Sequence, residues 1–191
     1  MGSSSTLTNR HVLTPYYNAG LGENWMNPRD RTGHLGELPK GRQRLAGTEF
    51  DIRGLIQVEQ RCRKHPARVE GMVVCQQCRR LHFLHAACNA ALLEDGLEIG
   101  HYTVHLSDGS QFNIPLVLGQ ELVDWYIQRR KTEAYVTAWE GENPHSRELG
   151  KKIRLFKTSW ENPRPEAEVR TVDFMAAHPG PSPFLVALTA E

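Results

Sequence analysis

The stretch His101–Leu118, HYTVHLSDGSQFNIPLVL, limits what this chain can fold into more than any other part of it. Tyr102, Val104 and Leu106 are spaced by two, as are Phe112, Ile114 and Leu116, and Asp108-Gly109 stands between the sets. Apolar residues at period two mark strands with one buried face. An Asp-Gly pair between two such runs signals a hairpin. For both sets to share a face, the expected register puts Leu106 opposite Phe112 and Val104 opposite Ile114, with an odd-length loop or a bulge beside the turn. A lone hairpin is marginal in water, so the remaining chain must supply further strands and a second layer to cover that face.

The same pattern recurs along the chain between glycine and proline punctuation. Phe50 and Ile52, then Leu55, Ile56 and Val58, form a strand whose phase breaks at Gly54; a glycine there marks a bulge or a close backbone approach. Residues 69–74 form a short strand, and Leu81–Ala86, LHFLHA, reads as a central strand of a sandwich. Tyr135 to Trp139, Ile153 to Trp160, Val169 to Met175 and Phe184 to Leu188 add four more. Residues 27–47 carry Pro28, Gly33, Gly36, Pro39, Gly41 and Gly47 and should wrap the surface in turns. Residues 88–93 suit one helical turn, and between 119 and 130 a helix and a strand compete. Residues 1–13 are patternless and read as a mobile lead-in, leaving 14–191 as one domain. The expected fold is all-β: an antiparallel β-sandwich of jelly-roll type with roughly eight to ten short strands.

Charge and hydropathy remove several classes of partner. With 23 basic and 22 acidic residues the net charge is +1, which provides no footprint for nucleic acid. No window approaches the roughly 20 apolar residues of a membrane span, and the first residues lack the apolar core of a signal peptide. The chain therefore reads as soluble, either cytosolic or cut from a longer protein, and its Gly2-Ser3-Ser4-Ser5 start suits a cloning scar. Its compartment and oligomeric state are not encoded in any of these features.

Three constellations carry possible chemistry. Cys62-x2-His65-x9-Cys75-x2-Cys78 has the spacing of two knuckle-like pairs that can surround a structural zinc. The same residues also suit an ordinary turn before LHFLHA, or a disulfide among the cysteines. Cys88 is the only other cysteine, and so tight a cluster is unlike a disulfide framework. His82, His85, His101 and His105 suggest catalysis or metal binding, but His82 and His85 are an odd number of residues apart and face opposite sides of a strand. Their expected role is to hydrogen-bond neighbouring strands. There is no G-x-S-x-G, H-E-x-x-H or phosphate loop, and Glu140, Glu142, Glu161 and Glu166 lie in turn-rich stretches, so the chain reads as noncatalytic. The third constellation is aromatic. A flat ring covers the apolar face of a pyranose while amides and carboxylates bond its hydroxyls. Trp25 follows Asn24, Trp139 precedes Glu140 and Asn143, and Trp160 precedes Glu161-Asn162. Trp25, Trp139, Glu140 and Asn143 are the candidate ligand-binding residues, against the alternative that each tryptophan plugs the core. Calcium at Asp51 or Asp173 is a further candidate, though both lie inside expected strands.

Several short stretches carry a family likeness: Leu38-Pro39 with Gly41, Gln43 and Gly47; Phe50-Asp51-Ile52-Arg53-Gly54; LHFLHA; Tyr102, Val104 and Asp108-Gly109; Ile114-Pro115; Asp124-Trp125; Trp160-Glu161-Asn162-Pro163; Asp173-Phe174; and Pro183-Phe184-Leu185. In order and spacing they resemble the galactose-binding-like β-sandwich modules, similar to carbohydrate-binding modules, of larger bacterial proteins. The resemblance spans about residues 14–191 and implies a noncatalytic accessory domain that contacts glycan through variable loops. It transfers no ligand, because the matching residues are those of turns and core. The rival expectation is a protein-interaction or scaffold domain without a sugar site, stapled by structural zinc.

Overall fold

The computed structural model describes residues 13–27, 29–60, 64–126 and 135–191. The expected lead-in up to residue 12, Cys62, and residues 127–130 of the helix-or-strand segment lie outside the described residues. Leu13, the last residue assigned to that lead-in, is 3% exposed and packs against the core.

In chain order the elements are β1 (Gly41–Leu45), β2 (Thr48–Ile52), β3 (Ile56–Gln57), β4 (Arg68–Gln77), β5 (Arg80–Cys88), β6 (Glu98–Leu106), β7 (Gln111–Val117), β8 (Tyr135–Gly141), α1 (Pro144–Glu148), β9 (Ile153–Glu161), β10 (Glu168–Ala176) and β11 (Ser182–Ala190). All strand pairs within the sheets are antiparallel. One sheet has the order β4-β10-β6-β7 and a second has β3-β11-β5-β9-β8, while β1 and β2 form a separate hairpin. The protein is an all-β sandwich.

Its core is divided by the five-stranded sheet. Phe83, Tyr102, Val104, Val172, Phe174 and Leu185 fill the space between the two large sheets. Leu84, Ala86, Phe156, Phe184 and Val186 project from the other side of the second sheet onto Trp25, Leu35, Leu38, Phe50, Ile52 and Leu55. The β1–β2 hairpin and the loop before it thus make a third layer. This accounts for LHFLHA: a strand covered on both faces has no polar side, and every residue from Leu81 to Cys88 is buried. β5 is the central strand of its sheet, as its composition predicts.

The polar residues on β5 are satisfied across the layers. Thr158 Oγ1 donates to the Glu121 carbonyl at 2.7 Å, so toward His85 Nε2, also at 2.7 Å, it accepts. Nε2 therefore carries the hydrogen, and His85 Nδ1 accepts from the Tyr102 hydroxyl at 3.0 Å. Hydrogen bonds run one way from β6 through β5 to β9, fastening one sheet to the other. Burial drives the His85 pKa down to about 3 and the Tyr102 phenol well up, so the ring stays neutral and the phenol stays protonated.

The expected hairpin of residues 101–118 forms, in a different register. Val104 pairs with Phe112 and Tyr102 with Ile114, two residues from the expected alignment. The Leu106 N–H donates to the Ser110 carbonyl at 2.9 Å, closing a three-residue loop in which Gly109 has φ 87°. The loop is odd in length, as the shared face demands, and a glycine in the left-handed region is what such loops require. A shift of two keeps every side chain on its expected face. The kink at Gly54 is also present: β2 ends at Ile52, and a Cβ at Gly54 would lie 2.8 Å from the Tyr17 ring. Two expectations are corrected. Residues 41–45, read as turns, form β1, whose half-exposed alternation gives little apolar signal. Residues 89–93 form turns without a helix. β8 ends at Gly141, and Asn143-Pro144 then opens α1: Asn143 Oδ1 accepts the Ser146 N–H at 2.7 Å, and the Ser146 hydroxyl accepts the Asn143 N–H at 2.9 Å.

Candidate polar cleft at the third layer

The loop between Asn18 and Arg31 has no periodic pattern, and its backbone is held by side chains. Asn18 imitates a strand neighbour, donating Nδ2–H to the Gln57 carbonyl at 2.9 Å and accepting the Gln57 N–H at 3.0 Å. Glu23 accepts the Gly20 N–H at 2.8 Å, and Asn24 accepts the Asn27 N–H at 3.0 Å. These are local turns of the kind Asn, Asp and Gly favour. They fold the loop over Trp25, whose ring packs 5.4 Å from Trp125 and 5.5 Å from Phe184.

Between this loop and Lys64 lies a cleft of about 520 Å³ lined by Asn18, Gly22, Glu23, Asn24, Trp25, Arg31 and Lys64. That volume falls within the range of small-ligand sites. Its lining residues Trp25 and Lys64 belong to a largely buried polar network. Trp25 Nε1 donates to Gln57 Oε1 at 2.5 Å, Gln57 Nε2 lies 3.4 Å from both Glu59 Oε2 and His65 Nδ1, and Lys64 Nζ donates to the Trp25 carbonyl. Burial, with Lys64 alongside, lowers the His65 pKa and keeps that ring neutral. The rim thus offers carboxamides, one carboxylate and two cationic side chains, most of them already held in place. The arrangement suits a ligand rich in hydroxyls. Trp25 is 1% exposed, so it has no free ring face for a sugar to cover, and recognition would rest on hydrogen bonds from the rim.

Of the residues expected to bind ligand, Trp25 alone lines this cleft. Trp139 is half-buried on the edge strand β8, its ring lying over Gly141, where an added Cβ would be 2.3 Å away. Glu140 receives the Arg154 Nε–H at 2.8 Å on the neighbouring strand. Asn143 is 0% exposed, capping α1 and donating Nδ2–H to the His34 carbonyl at 3.0 Å. Asn24, flagged as the neighbour of Trp25, does reach the site. Asn18, Glu23, Arg31 and Lys64 were missed, and the only signal for them is the Asn- and Gly-rich turn chemistry of the loop.

Of the described metal candidates, His65 lies apart from Cys75 and Cys78. His65 precedes β4 and contacts Gln57, which belongs to β3, whereas Cys75 sits near the far end of β4 and the Cys78 carbonyl accepts from Asn162 Nδ2 at 2.9 Å. At about 3.3 Å per residue, the length of β4 lies between them. Cys62 is outside the described residues, and among the described residues no group of three or more His, Cys, Asp or Glu is placed to hold a metal. Burial pushes the Cys78 thiol up to about 11, and Cys75, Cys78 and Cys88 form no disulfide. Asp51 is held by Arg53 at 3.0 Å, and Asp173 accepts from Gly71 N–H and faces His105 Nε2, each at 2.7 Å. His82 and Ser159 are cross-strand neighbours with Nδ1 and Oγ 2.7 Å apart, and His82 Nε2 donates to Glu191 at 2.9 Å, lowering that carboxyl's pKa. Among the described residues no helix is long and apolar enough to cross a membrane. No family model, curated protein or solved structure matches the chain.

Proposed function

We propose that this domain is a noncatalytic binding module of galactose-binding-like type that takes a carbohydrate in the Trp25 cleft, as an accessory part of a larger bacterial protein. The observation that carries this reading is the cleft, where a loop whose turns are fixed by their own side chains presents amides, a carboxylate and cations on a rigid sandwich. Preorganised polar groups at loop ends are how β-sandwiches present binding sites without catalytic machinery. The sandwich itself and the motif likeness of residues 14–191 support the same reading. Arg31 is exposed and makes no ion pair or hydrogen bond among the described residues, which leaves it available to ligand.

A glycan array followed by calorimetry on the strongest hit tests the proposal. The expected outcome is millimolar or tighter binding to at least one saccharide, weakened about tenfold by Arg31→Ala with an unchanged melting temperature. Absence of binding to every saccharide at millimolar concentration, or binding that survives Arg31→Ala and Glu23→Gln together, overturns it.

A further inference from the structure

A second cleft, of about 440 Å³, lies on the outer face of the four-stranded sheet, where β10 and β6 meet the β6–β7 turn. It is the product of a bulge. Val169 pairs with Leu106 and Thr171 with His105, so Arg170 is an extra residue on β10 with no counterpart on β6. Regular alternation would send Arg170 and Thr171 to opposite faces. Instead Val169 and Val172 are both 0% exposed in the core, and the two residues between them both turn outward. Bulges re-aim side chains in this way and are over-represented beside binding sites. Here the result is a guanidinium and a hydroxyl side by side, next to the His105 ring.

The charges around them are already matched, with one exception. Asp173 accepts the Gly71 N–H at 2.7 Å on one oxygen and faces His105 Nε2 at 2.7 Å on the other. Because a carboxylate only accepts, Nε2 carries the hydrogen, and Asp173 fixes the orientation of the ring. Asp108 in the turn is bound by Arg164 at 2.8 Å. Arg170 has no ion pair, and its guanidinium no hydrogen bond, among the described residues; the side chains of Thr171 and Gln111, which line the same cleft, make no hydrogen bond among them either. What remains unmatched is a forked cation with a hydroxyl and an amide beside it.

We propose that this cleft binds an oxyanion, a carboxylate or a sulfate or phosphate group borne by a ligand, with Arg170 supplying the charge and Thr171 and Gln111 the flanking hydrogen bonds. The guanidinium matches such groups in two-pronged fashion, and charge-assisted bonds of this kind are roughly twice as strong as neutral ones. The site is independent of the Trp25 cleft, which stands on other residues.

Backbone-amide NMR titrations with sodium acetate, sodium sulfate and sodium phosphate, each balanced with chloride to one ionic strength, test it. The expected result is saturable shifts at the Thr171 and Gln111 amides for at least one anion. Acetate alone identifies a carboxylate site, and sulfate or phosphate identifies an ester-type site. Arg170→Gln should weaken binding about tenfold and Thr171→Val about threefold, whereas Arg44→Gln, on the exposed side of β1, should leave it unchanged. Shifts that do not saturate with any of the three anions, or saturable shifts that persist in Arg170→Gln, overturn the proposal.

Discussion

Acidification should destabilise this protein through His85. The ring is 1% exposed, and burial holds its pKa at about 3, against 6.5 in the unfolded chain. A histidine with a depressed folded pKa stays neutral in the native state while the unfolded chain takes up a proton. Its contribution is fully present above pH 6.5 and is lost as pH falls toward the folded value. With these two pKa values, linkage removes about 2 kcal/mol between pH 7 and pH 5. That is a large share of the 5–15 kcal/mol by which domains are usually stable. His65 is shifted in the same direction and adds to the loss. Glu121 and Asp124, whose carboxyls are raised by burial, act in the opposite sense as pH falls through their raised folded values. The His85 contribution is concentrated between pH 7 and pH 5, and a variant that lacks the ring isolates it. Urea unfolding across that window should show the native state losing about 2 kcal/mol or slightly more. His85→Gln keeps an acceptor for Tyr102 and a donor for Thr158 but cannot titrate. It should be about 1–3 kcal/mol less stable at pH 7 and should lose about 2 kcal/mol less than the parent protein on going to pH 5. The same pH slope in both proteins, or a native-state imidazole signal for His85 that titrates above pH 5, would refute the reasoning.

Two substitutions test the third layer. Ala46 and Gly47 join β1 to β2 with φ of 46° and 81°, so both residues of this two-residue turn lie in the left-handed region. Ala46→Asn should stabilise the protein by about 0.5–1 kcal/mol, read as a higher urea midpoint at constant m-value, because asparagine tolerates that region and alanine does not. Asn143→Ala removes a helix cap and strips the half-buried His34 carbonyl of its donor, and should cost about 2–3 kcal/mol in the same assay. A change below 0.5 kcal/mol would mean that solvent replaces those bonds.

What the sequence made legible was the alternation of faces. Period two survives any even shift, so the Tyr102 and Phe112 runs identify the hairpin and its buried side but do not fix its register. That is decided by the Ser107–Gly109 loop, where Asp108 accepts both the Ser110 N–H at 2.9 Å and the Ser110 hydroxyl at 2.6 Å. The candidate site was far less legible. Trp139, Glu140 and Asn143 are neighbours in sequence, but β8 carries the first two along an edge while Asn143 turns inward to start α1. Cys75 and His65 are close in sequence, but most of β4 lies between them. Lys64 and Asn18 meet because Gln57 binds the 18–25 loop, a contact across 39 positions that leaves no local trace.

The continuous burial of β5 and β11 is where fold and site meet. A sheet with apolar side chains on both faces must be covered twice, and its second cover is the β1–β2 hairpin together with the loop that carries Trp25. Trp25 is needed there as packing, wedged against Trp125 and Phe184, and it could not also lie open as a platform for a sugar ring. Asn18, Glu23 and Asn24 are fixed instead by hydrogen bonds to backbone groups of Gln57, Gly20 and Asn27, so the rim stays polar. The requirement that created the third layer therefore placed a polar cleft at its margin, and under the proposed function the groups that would meet a ligand there are Asn24, Arg31 and Glu23 and not the tryptophans.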